Sequence, residues 1–139
     1  MNLKNFHQYV EDKIYSRGRS YTSSVMEIQQ VDEGEFCAEV MGSEEYQVFV
    51  KLNKKLEIIE HSCDCPYDWG NICKHEVAVF LNIRDKGLHK QKPSESPFHE
   101  IKEELEAYDN DELIQVILNM VKRSGKFRED LRWELGLEG

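Results

Sequence analysis

Apolar and polar positions alternate along the chain in patterns that predict a helix first and strands after it. Near the amino terminus, apolar residues recur at steps of three and four: Phe6, Tyr9, Val10 and Ile14. This spacing is typical of an amphipathic helix that buries one face. Gly18 is expected to end the helix, because glycine commonly follows the last helical turn.

A stricter alternation follows and predicts strands. Apolar residues occupy every second position over Phe36–Val40 and again over Tyr46–Leu52, and Leu56–Ser62 is a shorter third candidate. Turn-forming residues separate these runs at 32–34 and 42–43. We therefore expect an antiparallel meander of three or four strands with one buried face.

Helical spacing returns after residue 73. The apolar residues from Val77 to Ile83 predict a helix that ends near Gly87. Residues 88–98 contain two prolines and two serines, which favours a linker. Beyond it, a helical hairpin is predicted from these apolar positions: Leu113, Ile114, Ile117, Leu118, Val121, Phe127, Leu131 and Leu135.

Four side chains that bind soft metal ions lie between the last strand and the following helix. Cys63 and Cys65 form a Cys-x-Cys pair, and seven residues later Cys73 and His75 form a Cys-x-His pair. Three thiolates and one imidazole make a closed tetrahedral set for structural zinc. Residues two apart on a regular helix face apart, so we expect Cys73 to precede the helix and His75 to lie in its first turn. His61 is a spare ligand candidate, although a solvent-facing strand residue is the simpler expectation.

Other interpretations of the same residues stay open at this point. Cys63 and Cys65 could cycle as a redox disulfide, Cys73 and His75 could form a nucleophile–base pair, or the four could be unrelated core residues. A catalytic zinc normally keeps one position for water, and four protein ligands leave none. The sequence also lacks a glycine-rich phosphate loop and a Gly-x-Ser-x-Gly turn. We therefore expect no enzymatic activity.

The arrangement of these four residues resembles the SWIM zinc finger. The similarity extends to the N-terminal region of bacterial Swi/Snf-type helicases over residues 17–135, and it includes Tyr21, residues 40–48 and the loop 65–70. The resemblance implies zinc at Cys63, Cys65, Cys73 and His75, and a module that binds DNA or proteins. No Gly-x-x-x-x-Gly-Lys-Ser/Thr motif occurs, so helicase activity is not implied. The chain is then either a stand-alone SWIM protein or a piece of a longer chain, and Met1 favours the first.

Taken together, these patterns predict an α+β fold. Its parts are an N-terminal helix, an antiparallel meander, a zinc knuckle leading into a helix, and a C-terminal helical hairpin. We expect a zinc-binding domain at 1–87 with its finger core at 61–85, a linker at 88–98 and a helical appendage at 99–139.

The net charge narrows the choice of partner. The chain has 18 basic and 27 acidic residues, a net charge of −9, which disfavours coating nucleic acid by bulk charge. Residues 63–92 are the least acidic part, with 5 basic and 4 acidic residues. Local contacts with DNA are predicted at these residues: Lys51, Lys54, Lys55, Tyr67, Trp69, Lys74, Arg84 and Lys86. Solvated lysines, and aromatic rings that cover the metal, are the alternative.

Two function classes remain after these arguments. The first is a recognition module for DNA, and the alternative is a protein-interaction module that uses the acidic surface and the helical tail. A helicase or a recombination factor is the protein partner we expect, with no membrane and no small-molecule substrate. The longest apolar run, Val77–Leu81, is too short to span a bilayer, and the first residues lack a secretory core. A reducing cytoplasm is therefore the expected location.

Overall fold

A computed structural model of the chain describes residues 1–66, 70–90 and 97–137. In order along the chain its elements are α1 (Asp12–Ser20), β1 (Val25–Asp32), β2 (Glu35–Met41), β3 (Glu45–Leu52), β4 (Ile58–Cys63), α2 (Lys74–Lys86), α3 (Pro97–Glu106), α4 (Asn110–Arg123) and α5 (Gly125–Glu134). The predicted α+β class is confirmed, with a Cys/His cluster that follows the strands and leads into a helix.

The four strands form one antiparallel sheet in the order β1-β2-β3-β4. Alternate residues of β2 are buried, and so are alternate residues of β3. Phe36 pairs with Val50 and Val40 pairs with Tyr46, which aligns the apolar positions of both strands on one face. The predicted meander with a single buried face is confirmed, because the period of two in the sequence matches the period of a strand.

Helix α2 is the centre of this sheet-containing part. All nine residues from His75 to Ile83 are buried, so the helix is covered on every side. It contacts β1, β3, β4 and α1. It ends at Gly87 in the left-handed conformation, as predicted, because glycine adopts that conformation without a steric penalty.

The first predicted helix is wrong in its bounds. Phe6–Tyr9 forms a short 3-10 turn, and α1 starts only at Asp12 and continues to Ser20. Gly18 lies inside α1 and is buried, so it does not end the helix. A Cβ at Gly18 would lie 2.3 Å from Cγ1 of Val77. Glycine is therefore required at this position by the close approach of α1 to α2.

The chain divides into two compact units, Met1–Glu100 and Ile101–Gly139. The predicted bounds at 87 and 99 stay a prediction, and residues 91–96 of the predicted linker lie outside the described residues. Within the second unit, α4 and α5 form the expected hairpin, and the residues of α3 up to Glu106 add a helical segment that the periodicity did not indicate. Asp109 caps α4 in a reciprocal capping box with Glu112, and Ser124 caps α5.

No helix among the described residues is long and apolar enough to cross a membrane.

Candidate metal centre

The four predicted ligands come together where β4 leads into α2. Cys63 is the last residue of β4, Cys65 lies in the turn after it, Cys73 is the N-cap of α2 and His75 lies in its first turn. Their ligand atoms all lie within 4.8 Å of one another. The backbone of Cys73 is extended rather than helical, so Cys73 precedes the helix. This agrees with the expectation from the Cys-x-His spacing.

The backbone beside Cys63 fixes the first ligand pair. The backbone N–H of Asp64 donates to the carbonyl of Gln47 at 3.3 Å, and the N–H of Gln47 donates to the Asp64 carboxylate at 2.9 Å. These bonds continue the pairing with β3 for one residue beyond the end of β4. The turn that carries Cys65 therefore starts from a backbone held by the sheet.

The separations between the ligand atoms fit tetrahedral zinc. His75 Nδ1 lies 3.8 Å from Cys63 Sγ and 3.9 Å from Cys73 Sγ. Zn–S bonds of about 2.3 Å and Zn–N bonds of about 2.0 Å place tetrahedral ligands roughly 3.5–3.8 Å apart. Three sulfurs and one imidazole also match the preference of zinc for soft and borderline donors. The cluster therefore fits a zinc ion bound by Cys63, Cys65, Cys73 and His75.

A positive charge beside Cys73 is needed to keep its thiol deprotonated. A hydrogen bond with Cys63 and burial raise the pKa of the Cys73 thiol. A thiolate at Cys73 is therefore unfavourable unless a positive charge lies beside it. Bound zinc supplies that charge, and three thiolates with one Zn²⁺ leave a net charge of about −1 on the cluster.

The half-buried Lys74 lies next to the cluster in sequence, with its Nζ 4.8 Å from the ring centroid of Tyr21.

The imidazole of His75 is held between two tyrosine rings. Its centroid lies 4.7 Å from that of Tyr46 and 5.4 Å from that of Tyr21, and the Tyr21 ring meets it edge-on. Nε2 is buried and has no hydrogen-bond partner among the described residues. A Cβ at Gly42 would lie 3.0 Å from this Nε2. On the Nε2 side, packing rather than a hydrogen bond from the described residues therefore holds the ring, while Nδ1 faces the sulfurs.

A buried carboxylate joins the sheet to the start of α2 beside the ligands. Glu76 accepts a hydrogen bond from the backbone N–H of Cys73 at 3.0 Å and another from the imidazole of His61 on β4. This hydrogen bond raises the pKa of His61. The expectation that His61 faces solvent is wrong, since its side chain is 20% exposed and bound to Glu76. Sequence reasoning missed this pair, because a Glu at the third helical position predicts only a capping box.

The basic residues predicted to contact DNA lie at several places. Lys51 and Lys54 line one cleft, Lys55 is exposed in the following turn, and Lys74 lies at the metal centre. Arg84 pairs with Asp85 near the far end of α2, close to Lys86. Lys74 and Lys86 are separated by about 18 Å of helix, at 1.5 Å per residue. Tyr67 and Trp69 lie outside the described residues.

A cleft of about 310 Å³ adjoins the metal ligands. Cys65, Cys73 and His75 line it together with these residues: Ile14, Arg17, Tyr21, Ser43, Tyr46, Pro66 and Lys74. Arg17 on α1, Lys74 on α2 and Ser43 in the β2–β3 turn thus line the same cavity. Arg17 and Ser43 were missed by sequence reasoning, because only the fold brings them beside the Cys-x-His pair.

Comparison with known proteins gives one family match. Residues 46–84 match the family model described as SWIM zinc finger, and this segment contains all four ligands. We found no significant match among curated proteins and none among solved structures.

Proposed function

We propose that this chain is a non-catalytic SWIM-type recognition module in which a structural zinc ion fixes a DNA-binding cleft. The observation that carries the proposal is that three zinc ligands, Cys65, Cys73 and His75, line the cleft that also holds Arg17 and Lys74. The metal therefore positions the cleft, and the two basic side chains contact phosphate.

The closed ligand set supports a structural role for zinc. Catalysis at zinc requires a coordination position for water or substrate, and four protein donors occupy a tetrahedron completely. Cys73 and His75 are also only 4% exposed, which limits the approach of a substrate to the metal. What zinc supplies is a link between β4 and α2, which adds stability that a small core lacks.

The cleft is suited to the phosphodiester backbone rather than to base edges. Arg17 is exposed and Lys74 is half-buried, so both charges reach solvent at the cavity. Contacts of this kind position a protein on nucleic acid and carry little sequence preference. We therefore propose weak, salt-sensitive binding with little base specificity. The net charge of −9 limits long-range attraction, so binding depends on the local pair.

Titration of the zinc-loaded full chain with labelled single- and double-stranded DNA at low salt tests the proposal. We expect the double variant Arg17→Ala/Lys74→Ala to bind about tenfold more weakly and to lower the salt slope by about two. Lys4→Ala removes an exposed positive charge elsewhere on the same unit and serves as the matched control. Absence of binding by the wild-type chain near 50 mM salt, where phosphate contacts are strong, would reject DNA as the ligand.

A protein-interaction module without DNA binding is the second candidate. The acidic charge and the distribution of the predicted basic residues over separate places favour it. Deletion of residues 99–135 tests this candidate by pull-down. Partner capture that survives the deletion contradicts a role for the helical unit, and capture that is lost supports one.

The expected resemblance of residues 17–135 to the N-terminal region of bacterial Swi/Snf-type helicases motivates a further proposal about context. We propose that the module acts in the cytoplasm beside such a motor or beside a recombination factor, in a reducing environment that keeps its thiols available to zinc. Addition of the zinc-loaded chain to a purified Swi/Snf-type motor tests this through DNA-stimulated ATP hydrolysis. An unchanged rate at saturating chain concentration contradicts it.

A further inference from the structure

We propose that α4 binds α4 of a second copy of this chain, with the two helices antiparallel. The interface is the stripe formed by Ile114, Ile117, Leu118 and Val121, called the α4 stripe below. This proposal concerns the helical unit alone and does not depend on zinc or on DNA binding.

The helical unit does not bury an apolar core by itself. No side chain is buried among its described residues, 101–137. A unit of 39 residues falls below the size at which a single hydrophobic core usually suffices, and such units commonly depend on association. The apolar residues of α4 therefore need a covering surface.

The α4 stripe is an apolar face of α4 on which three of the four residues are exposed. Its residues follow the i, i+3, i+4, i+7 spacing of one helix face. Ile114 is 54% exposed, Ile117 is 40% exposed and Leu118 is 45% exposed. The other half-buried apolar residues of α4, Leu113 and Val116, lie on the adjoining face of the helix, and Leu113 is one turn before Ile117. The stripe is therefore exposed at Ile114, Ile117 and Leu118 and half-buried at Val121.

The charges beside the stripe are complementary to those of an identical antiparallel helix. Asp111 lies one turn before Ile114, and Lys122 lies one turn after Leu118. They are 11 residues apart, about three helical turns, and so lie on the same side of the stripe. Among the described residues, neither side chain has a hydrogen bond or an ion pair.

Antiparallel helices bring equivalent sides together, so a self-pair places each Asp111 opposite the other copy's Lys122. The midpoint of Asp111 and Lys122 falls between Val116 and Ile117, about one residue from the centre of the stripe. One two-fold axis therefore satisfies the apolar contacts and both charge pairs at once. Binding to an unrelated partner would not require Asp111 and Lys122 to be complementary to each other across a two-fold axis. We therefore assign a second copy of this chain as the occupant.

Sedimentation equilibrium of the zinc-loaded full chain from about 1 to 300 µM tests the proposal, a range that covers small interfaces. We expect a reversible monomer–dimer equilibrium. Leu118→Glu introduces two charges at the centre of the symmetric interface and is expected to weaken association on the order of a hundredfold. Asn119→Glu adds the same charge to the neighbouring position off the stripe and should leave association unchanged. Circular dichroism confirms that each variant keeps its helices.

Mixing two single variants tests the antiparallel register. Asp111→Lys alone and Lys122→Glu alone each bring like charges together in a homodimer and should associate about tenfold more weakly than the wild type. A mixture of the two restores both attractive pairs, so we expect heterodimers at wild-type affinity. A wild-type chain that stays monomeric across the range overturns the proposal. A dimer that Leu118→Glu does not weaken, or a mixture that does not recover affinity, overturns it equally.

Discussion

Gly42 lies so close to His75 that a Cβ in its place would approach Nε2 of the imidazole to 3.0 Å. The same Cβ would lie 3.0 Å from Cε2 of Tyr46, the ring that packs against His75. A side chain at position 42 would therefore require these rings to shift by a few tenths of an ångström. A residue on the β2–β3 turn thus controls the orientation of a zinc ligand on α2.

Gly42→Ala is expected to weaken zinc binding about tenfold, as changes around a metal ligand commonly do. The added methyl group displaces the imidazole and moves Nδ1 away from the sulfurs. Competition with a chromophoric chelator measures the affinity. Gly125→Ala is the control, because nothing lies within 4 Å of a Cβ at that position. Equal zinc affinity in Gly42→Ala and the wild type would show that Gly42 does not control the position of the His75 imidazole.

Loss of a ligand is expected to remove zinc and loosen the region 60–85. Cys63→Ser should bind far less than one equivalent of zinc, and amide hydrogen exchange in this region should increase because β4 and α2 lose their link. Cys37→Ser removes the only cysteine outside the cluster and should retain one equivalent. Elemental analysis that finds less than half an equivalent in chelator-free wild-type protein would argue against the site.

The buried Glu76 is expected to stabilise the fold through two partners. Glu76→Ala removes the acceptor of the Cys73 N–H and leaves His61 without its ion pair, at a cost of about 2–4 kcal/mol in the free energy of unfolding. Urea unfolding at saturating zinc measures the change, and exposed Glu60→Ala is the control. A double-mutant cycle with His61→Ala should give a coupling of about 1–3 kcal/mol. Additive effects would show that the two side chains act independently.

Gly18→Ala is expected to destabilise the protein by about 1–3 kcal/mol, as overpacking does. An alanine in a helix normally adds stability, so the sign itself reports the contact of α1 with Val77. Thermal unfolding of zinc-loaded protein measures it. An unfolding midpoint temperature of Gly18→Ala at or above that of the wild type would contradict the prediction, because it would mean that α1 and α2 accommodate the methyl group without loss of stability.

Cys37 is expected to react slowly with thiol reagents. Burial, and secondarily the charge of Glu35, raise the pKa of Cys37, so less thiolate is present at pH 8. The rate of reaction with the reagent should therefore still increase with pH above the usual thiol pKa of about 8.5. Zinc protects the other three thiols, so one slow thiol should be counted in the loaded protein. Glu35→Gln should speed the reaction, with exposed Glu33→Gln as the control. If Glu35→Gln reacts at the same rate as the wild type, the charge of Glu35 does not affect the reactivity of Cys37.

The sequence predicted those features that depend on local spacing. The alternation over Phe36–Val40 and the Cys-x-His pair each specify their own backbone, so β2 and β3, the N-cap at Cys73 and the convergence of the ligands could be anticipated. Gly18 could not, because its role depends on Val77, almost sixty residues away. The same holds for the His61–Glu76 pair and for Arg17 at the cleft, whose partners are set by the packing of α1, β4 and α2.

All four zinc donors come from one stretch of thirteen residues, 63–75. Closing so short a loop costs little chain entropy, and contacts of low sequence separation form early. The metal can therefore be captured before the distant strands β1 and β2 have paired with the rest of the sheet. The link that zinc makes between β4 and α2 then depends on this one short segment, and not on the order in which the strands pair.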